Sequence, residues 1–569
     1  SDNGRYVITF NGEIYNYREL KKKIQQIDSD TNWQSDTDTE VILKLLNYFD
    51  FENVLNQLDG MFAFAVYDNK ENNLFLVRDR AGEKPLYYSL INNNFIFASE
   101  IKTFKCFKYF NNQINLSAVS EIIDQGYISA PNSIYSDIKK LKPGHYIKFN
   151  KNLFSISINK YWKFKENYKY NIKNNSIKIE DEVESILQKS IKNQLHADVP
   201  VGVFLSGGID SSLIAAISKI HDDKIKTFSI GFNDLDYNEA ESSKKIANYI
   251  GTQHNEFYLS SRNALDLIPK MHEIYCEPFG DSSQIPTYLI SKIARENVKV
   301  ILSGDGGDEL FGGYNRYIYG HRYNLISKLL PMFLKDKLSS FILNSNINNL
   351  KYIYNFSKFF LPNKFHLTNF SDKIIKVGKT INANSLEDFY YKLTSNNYLY
   401  GNILNHNFKN KPRIYKNNDL ELMFDNDFNH YLPDDILCKV DRASMANSLE
   451  VRAPFLSKNL IEFSGSINFN KKVSFSNGKL PLRKLLKKFL PNQLISQNKR
   501  GFAIPLNKWL RGDLREWAED LISKKNINNY DFFNYDEVNK IWTHHIEGSQ
   551  ENQNILWPLL MFQSWITNK

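Results

Sequence analysis

The chain of 569 residues is long enough for two or three domains, and with 42% hydrophobic residues it can bury sizeable cores. Its formal net charge of +9 is spread along the chain, with no long basic block and no aromatic–basic interleaving, which argues against a nucleic-acid surface. Cys106, Cys276 and Cys438 stand far apart with no CxxC or zinc spacing, and no apolar run reaches membrane-spanning length, so a reducing, cytoplasmic setting and no membrane partner are expected.

Residues 1–162 read as an α+β unit with an antiparallel sheet. Short strands RYVITF, MFAFAVYD, NLFLVRD, PLYYSLI and NFIFASE are spaced by turn signals such as NGE, DNKENN and INNN. Two helical runs interrupt them, the second opened by a capping box, Thr37-Asp-Thr-Glu40. The first strand follows Ser1 almost directly, and the unit reads as a fragment whose beginning is missing. Residues 163–178, KFKENYKYNIKNNSIK, are polar and unpatterned and read as a linker. Over 179–569 the pattern changes. Strands VGVFL, TFSIGF, EFYL and VKVILSG alternate with helices SSLIAAISKI, EAESSKKIANYIG and QIPTYLISKIAREN. That alternation predicts an α/β, doubly wound parallel sheet. Beyond Tyr314 the chain reads as mostly helical, and no internal repeat is evident.

The turn SGGIDSS, Ser206 to Ser212, lies where VGVFL runs into a helix. Small residues allow close backbone approach, and the N–H groups at a helix start favour an anion. A bare SGG is equally a glycine turn that caps a helix. It is neither GxGxxG nor GxxxxGK[ST], so the dinucleotide and Walker readings do not apply. A second strand end, SGDGGDELFGGY from Ser303 to Tyr314, crowds Asp305, Asp308 and Glu309 among glycines. Hard oxygen ligands without thiolate or imidazole suit magnesium rather than zinc. One strand end suited to phosphate and one to magnesium, on the same sheet edge, make an ATP site.

SGGIDSS resembles the pyrophosphate loop of ATP pyrophosphatases. The ordered set SGGIDSS, TFSIGF, SGDGGDELFGGY, DRASMANSLEVRAPFL and KRGFAIP resembles the glutamine-hydrolysing asparagine synthetases. FNGEIYNY, TDTEVIL, LDGMFAFAVYD, RDRAGEKPLYY and FASEIK resemble that family's class II glutamine amidotransferase domain, an Ntn-hydrolase-like fold.

The resemblance implies ATP and Mg²⁺ as cofactors. A carboxylate, aspartate in the family, would attack the α-phosphorus to form an acyl-adenylate, and ammonia from glutamine would then give the amide and AMP. Pyrophosphate would lie against Ser206, Gly207, Gly208, Ser211 and Ser212. Asp210 and Asp308 match metal-ligand positions. Adenine is expected against Leu205, Ile230, Ser303 and Gly304. Lys499 matches a lysine that meets developing phosphate charge, and Gln497 stands where the family often has Arg. Asp305 would orient the intermediate, accept a proton or assist the metal. Asp441, Arg442, Glu450 and Arg452 would recognise substrate or form an internal salt-bridge network.

In the first unit Asn11, Gly12 and Glu13 match the NGE motif, with Asn11 and Gly12 stabilising an oxyanion. Asp38 matches the residue that binds the α-amino group of glutamine. The family's nucleophile is an N-terminal cysteine several strands before NGE. Ser1 stands only ten positions before Asn11 and is rejected as its replacement, so this polypeptide is not expected to hydrolyse glutamine although the full-length protein is. A homodimer and an ammonia tunnel are further implications. An acceptor other than aspartate, such as a uronic acid of a surface polysaccharide, stays open.

Overall fold

The computed structural model describes residues 1–164, 178–232, 240–326, 330–345, 352, 354–355, 370–396, 402–405, 419–495 and 504–569. The first unit contains β1 (Tyr6–Ile14), α1 (Tyr17–Ile27), α2 (Asp38–Tyr48), α3 (Phe51–Gln57), β2 (Gly60–Asp68), β3 (Asn73–Arg78), β4 (Tyr87–Ile91), β5 (Asn94–Ala98), α4 (Leu116–Gln125), β6 (Lys139–Lys140), β7 (His145–Asn150) and β8 (Ser155–Lys160). Strands β1-β2-β3-β7-β8 form one antiparallel sheet, and β5-β4-β6 form a smaller one. The expected INNN hairpin is present, with Asn92 and Asn93 at φ of 47° and 59°, the left-handed conformation a two-residue hairpin loop demands.

NGE is not a turn. Asn11, Gly12 and Glu13 continue β1 and pair with Ala63, Phe62 and Met61. A Cβ on Gly12 would stand 2.1 Å from the Met61 carbonyl oxygen. Glycine here permits close approach of β1 to β2 rather than reversing the chain. The capping box is half formed: the Thr37 side chain accepts from the Glu40 N–H, whereas the Glu40 carboxylate accepts from Gln34 and Ser35 N–H instead.

Most of the expected linker, residues 165–177, lies outside the described residues. Its second residue is not solvated: Phe164 is buried and stacks on Phe428 at 4.3 Å between ring centroids.

The second unit opens with α5 (Ile179–Gln194), β9 (Val201–Phe204), α6 (Ile209–His221), β10 (Lys226–Phe232), α7 (Ala240–Ile250), β11 (Gln253–Leu259), α8 (Gln284–Arg295), β12 (Val300–Leu302) and α9 (Gly307–Phe311). All described pairings in its sheet, ordered β11-β10-β9-β12-β13, are parallel. The fifth strand, β13 (Glu450–Arg452), arrives after the helices α10 (Asn315–Ile326) and α11 (Leu437–Met445). Further on lie α12 (Leu480–Leu486) and α13 (Gln553–Thr567), the latter buried almost all round.

The two units share cores: Phe62 and Leu213 belong to one buried cluster, and Tyr87 and Trp557 to another. Their contact is also polar. Lys140 pairs with Glu277 at 2.6 Å and Lys84 with Asp441 at 3.0 Å. Among the described residues, no helix is long and apolar enough to cross a membrane.

Candidate active site

β9 and β12 are neighbours, so the segments after them, Leu205–Gly208 and Ser303–Gly306, emerge side by side at the carboxyl ends of the sheet. The first segment folds back on itself. The Ser206 N–H donates to Ser211 Oγ at 3.2 Å, the two hydroxyls lie 3.1 Å apart, and Gly207 sits at φ 73°. The turn thereby delivers the chain into the thirteen-residue α6 with its first N–H groups at the cavity mouth.

Glycines in the second segment let the two segments interlock. A Cβ on Gly304 would meet Asp210 Cβ at 2.9 Å, and one on Gly307 would meet Asp210 Cγ at 2.7 Å.

Between them lies a cavity of about 450 Å³. Leu205, Ser206, Gly208, Asp210 and Ser211 line it from the first segment, and Ser303, Gly304, Asp305 and Asp308 from the second. Three expected contacts are not in its wall. Gly207 shapes the turn, its Cβ position 3.0 Å from Ser242 Oγ. Ser212, the fourth residue of α6, is fully buried, and Ile230 packs into a core cluster. Lys499 and Gln497 lie outside the described residues.

Asp210 and Asp308 converge on one cation, the ammonium of Lys479. Its Nζ donates to Asp210 Oδ2 and stands 2.6 Å from Asp308 Oδ1. The two carboxylates raise the Lys479 pKa against the opposing effect of burial, which is the larger single cause. Lys479 takes φ 55°, unusual for a side-chain-bearing residue, and Gly313 clears its path: a Cβ there would stand 2.2 Å from Lys479 Cε.

Two carboxylates already focused on one positive charge fit a magnesium ion. No cluster of three or more His, Cys, Asp or Glu side chains able to hold a metal occurs among the described residues. Two carboxylates completed by phosphate oxygens suit an ion that arrives with the nucleotide. Lys479 was not singled out from sequence, because in SNGKLPLRK it reads as an ordinary basic residue ahead of a helix.

Lys439 was missed for the same reason. It lines the cavity and pairs with Asp281 at 2.8 Å. Burial pushes the Asp305 carboxyl up, and Asp308 adds to this, while a hydrogen bond from Ser303 and the charge of Lys439 oppose it.

None of Asp441, Arg442, Glu450 and Arg452 lines the cavity, and each is engaged in internal contacts: Asp441 pairs with Lys84. Arg442 donates to the Ser99 carbonyl at 2.9 Å, and Arg452 pairs with Glu450 at 2.7 Å and donates to the Gln194 carbonyl at 2.8 Å.

In the first unit, β1 and α2 bring the expected glutamine-site residues together. The Ile14 N–H donates to Asp38 Oδ2 at 2.9 Å, which ties the end of NGE to the start of α2. Asn11 Nδ2 donates to Ser99 Oγ at 3.2 Å. Burial pushes the Glu13 carboxyl up to about 7 despite the pull of Arg452, 3.6 Å away. The Ser1 amine donates to the Tyr6 carbonyl, five strand residues short of Asn11. At ~3.3 Å per residue this places Ser1 about 16 Å from the motif.

The asparagine synthase family model matches residues 182–567, and a glutamine amidotransferase domain model matches residues 1–162. The chain is 30% identical over 563 residues to asparagine synthetase [glutamine-hydrolyzing] 1 of Bacillus subtilis, covering 98% of this chain and 85% of that protein. It is 37% identical over 465 residues to a putative asparagine synthetase [glutamine-hydrolyzing] 2 of Methanocaldococcus jannaschii, covering 80% of this chain and 84% of that one. With a cavity at the carboxyl edge of its parallel sheet and an amidotransferase unit packed against it, the chain belongs to the asparagine synthase family of ATP-dependent ligases that draw nitrogen from glutamine.

Proposed function

We propose that the second unit converts a carboxylate into an amide through an acyl-adenylate. The observation that carries this reading is the convergence of Asp210 and Asp308, from two adjacent strand ends, on one cation, while both carboxylates line the same cavity as Ser206, Gly208 and Ser211. The N–H groups of that turn and of the start of α6 would bind the β- and γ-phosphates, each charge-assisted hydrogen bond contributing about 1.5–3 kcal/mol. Asp210 and Asp308 would hold magnesium, which neutralises phosphate charge when bound. Lys479, released from the carboxylates, is then placed to face the pyrophosphate oxygens.

The acceptor carboxylate enters from the Lys439 side. Its oxygen attacks the α-phosphorus and pyrophosphate departs. Ammonia attacks the acyl carbon, the C–O bond to AMP breaks, and one proton passes to a base, for which Asp305 is placed. Lys499 is assigned by its motif to the charge that develops on phosphate. The first unit, with Asn11, Gly12, Glu13 and Asp38, is assigned to glutamine. The spread charge and the free cysteines support small-molecule substrates and a cytoplasmic setting.

Aspartate is the first acceptor to test, because the relatives carry asparagine synthetase names. A larger carboxylate is the second, because a further cavity adjoins the first. Product analysis with ATP, magnesium, ammonium and a panel of acids decides: AMP, pyrophosphate and an amide in equal amounts are expected. ADP and phosphate in their place would refute adenylation.

A further inference from the structure

Between the short helix Met271–Tyr275 and α8, residues 276–283 (CEPFGDSS) belong to no helix or strand. Such a run has no hydrogen-bond ladder of its own, so its path is set by what it packs against. Its later residues build the site. Asp281 and Ser282 stand in the walls of both the 450 Å³ cavity and a larger neighbour of about 630 Å³. Asp281 accepts from Lys439 Nζ at 2.8 Å, which fixes that ammonium in the cavity wall on the acceptor's side. The Ser283 N–H and hydroxyl donate to the same carboxylate at 2.9 and 2.7 Å.

Its earlier residues are held by the first unit. Glu277, four positions before Asp281, is 5% exposed. Its carboxylate stands 2.6 Å from Lys140 Nζ and accepts from the Ile134 N–H at 3.2 Å. Lys140 is itself fixed by the Ile128 carbonyl at 2.7 Å. Displacing Glu277 would leave two buried charges unpaired, so the pair sets where the segment starts. Midway, the Gly280 N–H donates to the Gly126 carbonyl at 2.7 Å. Gly126 closes α4 at φ 85°, and a Cβ on Gly280 would stand 3.1 Å from its Cα and 2.9 Å from Pro558 Cβ. The helix that carries Lys439, α11, is tied to the same unit, because Asp441 pairs with Lys84 and Arg442 donates to the Ser99 carbonyl. Both halves of the Asp281–Lys439 pair are therefore located by contacts with the first unit.

We propose that Lys140 and Glu277 are positioning residues for the adenylation site. Through them the amidotransferase unit sets the place of the Asp281–Lys439 pair, and with it the acceptor's approach to the α-phosphorus, even when free ammonia supplies the nitrogen. The inference rests on the adenylation reading for what Lys439 meets. Neither residue makes or breaks a bond.

The test pairs competitive acetylation of the lysines, read by mass spectrometry on the whole chain, with ATP–pyrophosphate exchange driven by a panel of acids that includes aspartate. Two variants loosen the segment without leaving a buried charge unpaired. Lys140→Met combined with Glu277→Gln removes the ion pair and keeps an oxygen for the Ile134 N–H. Gly280→Ala presses the segment away from Gly126 and Pro558. Each should raise the acetylation rate of Lys439 about tenfold, the scale of one lost charge-assisted hydrogen bond, and leave that of Lys479 at the parental value. The KM of the acid that drives exchange should rise by a similar factor, with the KM for ATP unchanged. Parental labelling of Lys439 in either folded variant overturns the inference and leaves adenylation standing. An equal rise at Lys479, or a rise at Lys439 with no rise in the acid's KM, overturns it as well. Selective labelling of Lys439 in the variants, with no exchange by any acid in the parent, upholds the clamp and refutes adenylation. Parental labelling together with no exchange overturns both.

Discussion

Lys479→Met removes the cation that holds Asp210 and Asp308 together, and its effect can be worked from the site. Two charge-assisted hydrogen bonds are lost, worth about 1.5–3 kcal/mol each. The unusual backbone conformation at φ 55° is retained by methionine, so its strain cancels between parent and variant. Breaking a buried ion pair from one side typically costs about 3–5 kcal/mol, because the remaining charge stays in place. The side chains of Asp210 and Asp308 keep 14% and 21% exposure, which lets water and protons relieve part of the repulsion. The lower end, about 3 kcal/mol, is therefore expected in metal-free buffer. Urea denaturation followed by tryptophan fluorescence reads it. Magnesium should restore more stability to the variant than to the parent, since the ion no longer competes with the ammonium. An unchanged unfolding midpoint in metal-free buffer, with no added response to magnesium, would refute the reasoning.

Gly313→Ala places a Cβ 1.7 Å from Asp308 Oδ1 and 2.2 Å from Lys479 Cε, so ATP binding measured by equilibrium dialysis should be lost while the circular dichroism spectrum is kept. Lys140→Met leaves the buried Glu277 without its ammonium across the contact between units, and should destabilise the chain by about 3–5 kcal/mol in chemical denaturation. Glu13 contributes to the pH dependence of the first unit, beside Glu83, whose carboxyl burial pushes up as well. The folded pKa of Glu13, about 7, exceeds the ordinary 4.5, so the folded state binds the proton more tightly and stability falls as pH rises between those values. Glu13→Gln should flatten that decline in unfolding midpoints measured from pH 5 to 7.5.

Much of this architecture is legible in the residues, and the failures have physical causes. The parallel sheet shows itself because the largely apolar β9, β10 and β12 alternate with helical runs. β13 does not, since three residues carry no period and its place is set by pairing with β12. NGE reads as a turn because glycine between polar residues is the commonest local signal. Its role in β1 depends on Met61, far along the chain, whose carbonyl needs the space. Asp210, Asp308 and the serines of the turn lie in compact motifs that local spacing exposes. Lys479 reaches the same site from beyond Gly313 through a tertiary path that no spacing encodes. The larger cavity beside it draws its wall from α4, α10, the segment before α11 and the start of α13, among others, so it exists only after folding. The half-formed capping box shows the same limit at short range, because Glu40 finds better donors in Gln34 and Ser35 than in Thr37.

The central claim is that two neighbouring strand ends grip one ATP·Mg²⁺ for carboxylate activation. ATP–pyrophosphate exchange in the parent chain, Asp210→Asn and Asp308→Asn, run against a panel of acceptor acids, tests it most directly. The account predicts acceptor-dependent exchange in the parent and a loss of about 10²–10³ in each variant, with the fold retained. Exchange at the parental rate in both folded variants would contradict it.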